Sequence, residues 1–132
     1  MPALPWARVG QPEPGTTYVA MASRLPLRSY GRIPSFIRAT WRVRRQLAGA
    51  DGLVGYSLDA KLLSKTFWTL SAWRDQAALD RFASAEPHRS VVAAIRPHMA
   101  ATTFVTWAVT EAEVPVRWQT AREHVNREAG DR

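Results

Sequence analysis

Four short runs of strand character, spaced by helical stretches in the order β-α-β-β-α-β, restrict the fold of this chain more than any other feature. Residues 16–25 (TTYVAMASRL) are rich in Thr, Tyr and Val and stop before Pro26. Residues 52–62 (GLVGYSLDAKL) and 65–73 (KTFWTLSAW) form a pair joined at Leu63 and Ser64, and 102–109 (TTFVTWAV) ends the series. Between the first two runs, Phe36, Ile37, Thr40, Trp41, Val43 and Leu47 recur at helical spacing, with Pro34 in the first turn and Gly49 beyond the last. Phe36 and Trp41 are expected in the core. Asp75 is an N-cap residue for a second helix carrying Ala78, Leu79 and Phe82. Residues 84–86 interrupt it, and Pro87 opens a further helix with Val91, Val92, Ile95 and Met99 on one side. Strands joined through helices need crossovers, and right-handed crossovers give an α+β, ferredoxin-like split βαββαβ antiparallel sheet with its helices on one face.

A chain of 132 residues is long enough for one domain with a self-sufficient core. Residues 1–15, with prolines at 2, 5, 12 and 14, read as an N-terminal arm that Trp6 can dock. Residues 16–110 read as the domain, and 111–132 as a polar, helical extension anchored by Trp118 and Val125. No cysteine is present, which excludes disulfides, a thiol nucleophile and Cys-ligated metals. The apolar runs are too short for a membrane span, and the first residues lack the pattern of a secretory signal; a cytoplasmic, soluble protein is expected.

The net charge of +7 has one source. Residues 24–45 contain seven arginines (24, 28, 32, 38, 42, 44 and 45) and no acid, whereas bases and acids balance over the remaining positions. Such a segment attracts anions, or serves simply as a solvated helix face. Helical spacing turns Arg38, Arg42 and Arg45 away from the core stripe.

The strand at 65–73 carries two different faces. Thr66, Trp68, Leu70 and Ala72 form the better helix-facing set. Phe67, Thr69, Ser71 and Trp73 alternate hydroxyls with large aromatics and are expected on the open face, with Phe104 among the aromatics of the last strand. An open face of this kind needs a partner, either a second copy of the sheet or a small ligand.

The run FWTLSAWRDQAALDRFASAEPHRSVV at residues 67–92 resembles the signature stretch of the antibiotic-biosynthesis-monooxygenase-like (dimeric α+β barrel) superfamily: a strand ending in Trp73, a helix opening with Asp75 and continuing Ala77-Ala78-Leu79, then Ser84 and His88 four residues apart. The glycine-led strand at 52–58 fits as well, and spheroidene-monooxygenase-like proteins are similar over the same stretch. The resemblance implies a homodimer packed through its sheet faces and a cavity between sheet and helices that holds a flat, hydrophobic compound. It puts Trp73 at the cavity tryptophan of quinone-forming oxygenases, while Thr69 stands where those enzymes have Asn, and Val91 where the haem-degrading branch has its ligating His.

The candidate site is therefore His88 as acid or base, with Trp73, Phe67, Thr69, Ser71 and Phe104 around the substrate. His88 is alternatively a helix-terminal residue bonded to backbone, and His98 is a weaker candidate. No spacing of metal ligands occurs, so no metal is expected. The expected function is a monooxygenase-like enzyme without cofactor, or a ligand-binding dimer. Haem held by His88 is a variant, and a non-catalytic dimeric domain is the alternative. Nucleic-acid binding fits poorly, because the glycine-aromatic strand motif of RNA-recognition folds is absent.

Overall fold

The computed structural model describes residues 6–11 and 13–130. Pro2, Pro5 and Pro12 of the expected arm lie outside the described residues. Five strands, β1 (Ala7–Arg8), β2 (Thr17–Pro26), β3 (Leu53–Lys61), β4 (Thr66–Trp73) and β5 (Thr103–Thr110), make one antiparallel sheet in the order β1-β3-β4-β2-β5. Four helices accompany it: α1 (Ile33–Ala48), α2 (Gln76–Ser84), α3 (His88–Ile95) and α4 (Trp118–Glu128). The expected strands and the first helices recur with shifts of one or two positions. β3 and β4 form a hairpin, whereas β2 reaches β3 through α1, and β4 reaches β5 through α2 and α3. This is the α+β ferredoxin-like arrangement.

Local chemistry explains the element ends. The Asp75 carboxylate accepts from the Ala78 amide at 2.8 Å, capping α2. Pro34 lies in the first turn of α1, where its missing N–H leaves no bond unmade. β1 is added at the outer edge of β3, opposite Gly55 and Tyr56. Gly55 is required there, since a Cβ would run into the Trp6 indole nitrogen. Trp6 itself packs against the core.

Alternation along β4 is as expected, but the assignment of its faces is reversed. Trp73, only 1% exposed, packs with Leu47 of α1 and with Ala78 and Leu79 of α2. Phe67 stacks on Phe36 of α1, with ring centroids 4.2 Å apart. The hydroxyl-and-aromatic set therefore lies under α1–α3. Leu70 and Ala72 face the opposite side, where Ala121 and Val125 of α4 are wholly buried against them. The helices are consequently not all on one face. The sequence predicts helices over one face and leaves the other open, with residues 111–132 as a polar extension; with α4 seated, both faces of β4 are internal.

A second correction concerns Trp41. Phe36 is buried as expected, but Trp41 is 58% exposed and carries the Arg44 guanidinium 4.7 Å from its ring. One helix stripe cannot turn Phe36 and Trp41, five positions apart, into the same contact.

Candidate functional site

Three groups of side chains occupy the layer between the sheet and α1–α3. At one end stands the Phe36–Phe67 pair, with Leu27 and Met99. At the other end Trp73 leans on Phe82 at 5.2 Å, and Phe82 on the imidazole of His88 at 5.0 Å. Between them lie hydroxyls. Ser23 of β2 and Thr69 of β4 are cross-strand partners and hydrogen-bond each other. Ser71 accepts from the Trp73 indole N–H at 2.8 Å. These bonds explain how a polar row sits in a closed layer, since a buried donor or acceptor is tolerated only when it is paired.

Strand register carries the row outward. Ser23 faces Thr69 on one side and Phe104 on the other, so Thr69, Ser23 and Phe104 form one line across three strands. Phe104 is 58% exposed, and its neighbours along the same face of β5, Thr106 and Ala108, are exposed too. Helices cover this face over β3 and β4 and leave its β5 margin open.

The structure thus brings Phe67, Thr69, Ser71, Trp73 and Phe104 to one sheet face and places His88 at its margin. Phe67, Ser71 and Trp73 are buried, Thr69 is half-buried, and Phe104 is open. His88 begins α3: its amide donates to the Gln46 side-chain oxygen at 2.9 Å, and its Nδ1 lies 3.0 Å from the Ala83 carbonyl. It connects to the sheet through Phe82 and Trp73. Haem ligation would need an open slot in front of the imidazole. The ring of Phe82 lies against the imidazole at a tilt of 49° and the Ala83 carbonyl occupies Nδ1, so that nitrogen would have to give up its bond to hold iron. No group of three or more His, Asp or Glu with metal-holding geometry occurs among the described residues. Nor, among them, is any helix long and apolar enough to cross a membrane.

A further feature lies on the helix side of the sheet. A groove of about 470 Å³ runs between α1 and α3, floored by Leu27, Phe36 and Val91. Arg32, Arg38 and Arg42 stand along it, as does His98. The spacing of the arginines was legible, but the helix that they face was not.

Solved structures supply the comparison, with 64 matching chains. A dimeric ferredoxin-like protein of unknown function from Thermobifida fusca superposes with a TM-score of 0.61 at 15% identity, over 74% of this chain and 95% of that one. An antibiotic biosynthesis monooxygenase gives 0.62 at 18% identity, over 67% and 95%. The fold is that of the antibiotic-biosynthesis-monooxygenase-like proteins. A variant of SnoaB, a cofactor-independent oxygenase from Streptomyces nogalater, gives 0.56 at 15% identity, over 68% and 90%. Against two larger neighbours, from Lactobacillus acidophilus and Fusobacterium nucleatum, this chain spans 51% and 46% of their length. No family model matches the sequence, and no curated protein does, so the narrower likeness to spheroidene-type enzymes has no support there. At these identities the likeness concerns the fold.

Proposed function

We propose that this chain is a cytoplasmic, monooxygenase-like small-molecule protein that takes a flat, hydrophobic, oxygenated compound on the open margin of the helix-side sheet face. The carrying observation is the Thr69–Ser23–Phe104 line, which sets a bonded hydroxyl pair beside an exposed phenyl ring on an otherwise closed face. Phe104 stacks on the ligand ring, and Thr69 exchanges its bond to Ser23 for one to a ligand oxygen. Phe67, Ser71 and Trp73 hold the floor beneath this row. A second copy closes the margin in a homodimer, as the dimeric description of the Thermobifida neighbour supports.

In the catalytic form of this reading, the substrate is an anthrone-like phenol whose ring CH2 loses a proton to His88. The resulting carbanion is oxidised by O2 to a quinone; one oxygen atom enters the carbonyl and the other leaves as water. The second reading, a binding dimer without catalysis, is favoured by the engagement of His88 with Ala83 and Phe82, away from the Thr69 row.

Oxygen uptake with 1,8-dihydroxyanthrone tests both. The catalytic form expects protein-dependent uptake that falls at least tenfold in Phe104→Ala and in His88→Ala. Binding of the same compound, weakened by Phe104→Ala with no protein-dependent uptake, selects the binding dimer. Binding and uptake both indifferent to Phe104→Ala and Thr69→Val overturn the proposed site.

A further inference from the structure

We propose that the outer side of α1, turned away from the sheet, is a docking surface for a bilayer that carries anionic phospholipid headgroups. Three observations converge on it.

The first is an apolar stripe that faces water. Phe36 and Leu47 bury the inner side of α1. Pro34, Ile37 and Trp41, spaced by three and four positions, follow one another along the outer side, and all three are exposed. All six tryptophans of the chain are among the described residues, and of these Trp41 alone is exposed. At the entry to the helix Tyr30 is exposed as well, and its hydroxyl donates to the carbonyl of Leu63, whose own side chain is 92% exposed. The largest exposed apolar groups thus collect on α1, on the turn that enters it and on the β3–β4 connection held against that turn. A gathered patch of this kind marks a surface that meets another.

The second is charge. Arg38, Arg42 and Arg45, at spacings of four and three, run along one margin of the stripe and are exposed. Arg44 stands at the other margin, its guanidinium 4.7 Å from the Trp41 ring. Residues 24–50 contain no acid, and none of these four arginines forms a salt bridge among the described residues, whereas the arginines at 74, 81, 89 and 122 each pair with one. Arginines grouped on one amphipathic helix are drawn to anionic headgroups.

The third is the combination, which selects the occupant. A second copy would set one acid-free row of arginines against another and be repelled. A nucleic acid would satisfy the arginines but gain nothing from the aliphatic side chains of Ile37 and Leu63. A bilayer surface uses both: the indole sits at headgroup level, the aliphatic groups enter the acyl boundary, and arginine stems reach back to the phosphates. The surface is independent of the proposed ligand site, since none of its residues belongs to the Thr69–Ser23–Phe104 line.

The test is sedimentation of the full chain with sucrose-loaded vesicles, either of phosphatidylcholine alone or of equal parts phosphatidylcholine and phosphatidylglycerol, at about 0.1 M salt, where charges act only over about 10 Å. Melting curves of every variant are recorded alongside. Binding is expected to the anionic vesicles and to be at least tenfold weaker to the neutral ones. Arg38→Gln combined with Arg45→Gln weakens it at least tenfold. The same charge removed from the far side of the sheet, by Arg117→Gln with Arg127→Gln on and beside α4, changes it less than twofold. Ile37→Gln combined with Trp41→Gln also weakens it at least tenfold; if that pair melts early, Leu63→Gln replaces Ile37→Gln. In the parent chain, brominated phosphatidylcholine added to the anionic vesicles quenches tryptophan fluorescence, and at least half of the quenching is lost in Trp41→Phe. Four results overturn the proposal: no preference for anionic vesicles, equal weakening by the two arginine pairs, quenching that persists in Trp41→Phe, or vesicle binding indifferent to the apolar substitutions. In the last case, arginine-dependent capture of oligouridylate assigns the surface to nucleic acid instead.

Discussion

Asp59 of β3 and Arg122 of α4 form an ion pair across 63 positions of sequence, and the carboxylate side chain is wholly buried. The Arg122 guanidinium lies 5.5 Å from the ring of Trp68 and 5.2 Å from that of Trp118, so two indoles flank it while its side chain stays 34% exposed. Lys61 approaches the same carboxylate oxygen at 3.3 Å, while the other oxygen, Oδ1, accepts no hydrogen bond among the described residues. This cluster fastens α4 to the second sheet face.

Removing one partner leaves a buried charge with less compensation, which commonly destabilises by about 3–5 kcal/mol. Arg122→Met is expected near the lower end, about 3 kcal/mol, because Lys61 remains. The double variant Asp59→Leu/Arg122→Met recovers most of that loss. Urea denaturation curves of the two variants measure the difference; equal losses would mean that the charges do not act as a pair.

Trp73 and Ser71 give a second pairing test. Ser71→Ala strands a buried indole N–H, at about 1–3 kcal/mol. Trp73→Phe removes that donor, so adding Ser71→Ala to Trp73→Phe is expected to do little further harm. A double-mutant cycle in guanidinium reads the coupling, and strict additivity would count against the bond.

The edge strand is expected to respond to one methyl group. Gly55→Ala places a Cβ against the indole of Trp6, a half-buried side chain packed on the core. Overpacking of this kind costs about 1–3 kcal/mol. The cheapest relief is detachment of β1, seen as faster hydrogen exchange at Val9 and Gly10, whose amides donate to Val54. Unchanged exchange at those two amides would count against the contact.

His124 stacks on Trp107 with ring centroids 4.0 Å apart and planes 9° from parallel. Burial, and then the charge of Arg127, push its pKa below the ordinary 6.5, with Glu123 working the other way. The folded state therefore resists a proton that the unfolded chain accepts. The contribution of His124 is complete above pH 6.5 and is lost as pH falls from there through the lowered folded value. Melting temperatures at about pH 7.5 and about pH 5 are expected to differ more in the parent than in His124→Gln, and an unaltered pH response in the variant would rule out this role.

The positions of β2–β5 and of α1–α3 along the chain were readable because alternation and helical spacing show in the sequence itself, whereas β1 lay hidden in the N-terminal arm. Asp75 as a cap and Pro87 before α3 were readable too, since their chemistry is local. Which face of β4 lay under α1–α3 was not. Hydroxyls looked unfit for a closed layer until Ser23, 46 positions from Thr69, supplied a partner. The groove stayed hidden for the same reason, as it needs α1 and α3 side by side. Periodicity says which way Arg38 points and nothing about what it meets.

The clasp between Asp59 and Arg122 also ties the last helix to a distant part of the chain. Its acid belongs to the central hairpin and its base to the last helix, so the clasp cannot close until α4 reaches the sheet. Contacts between such distant positions form slowly. Until they form, the indoles of Trp68 and Trp107 remain wet, and a chain halted at that point offers neighbouring molecules an adhesive sheet. α4 is in this sense a built-in safeguard against clumping.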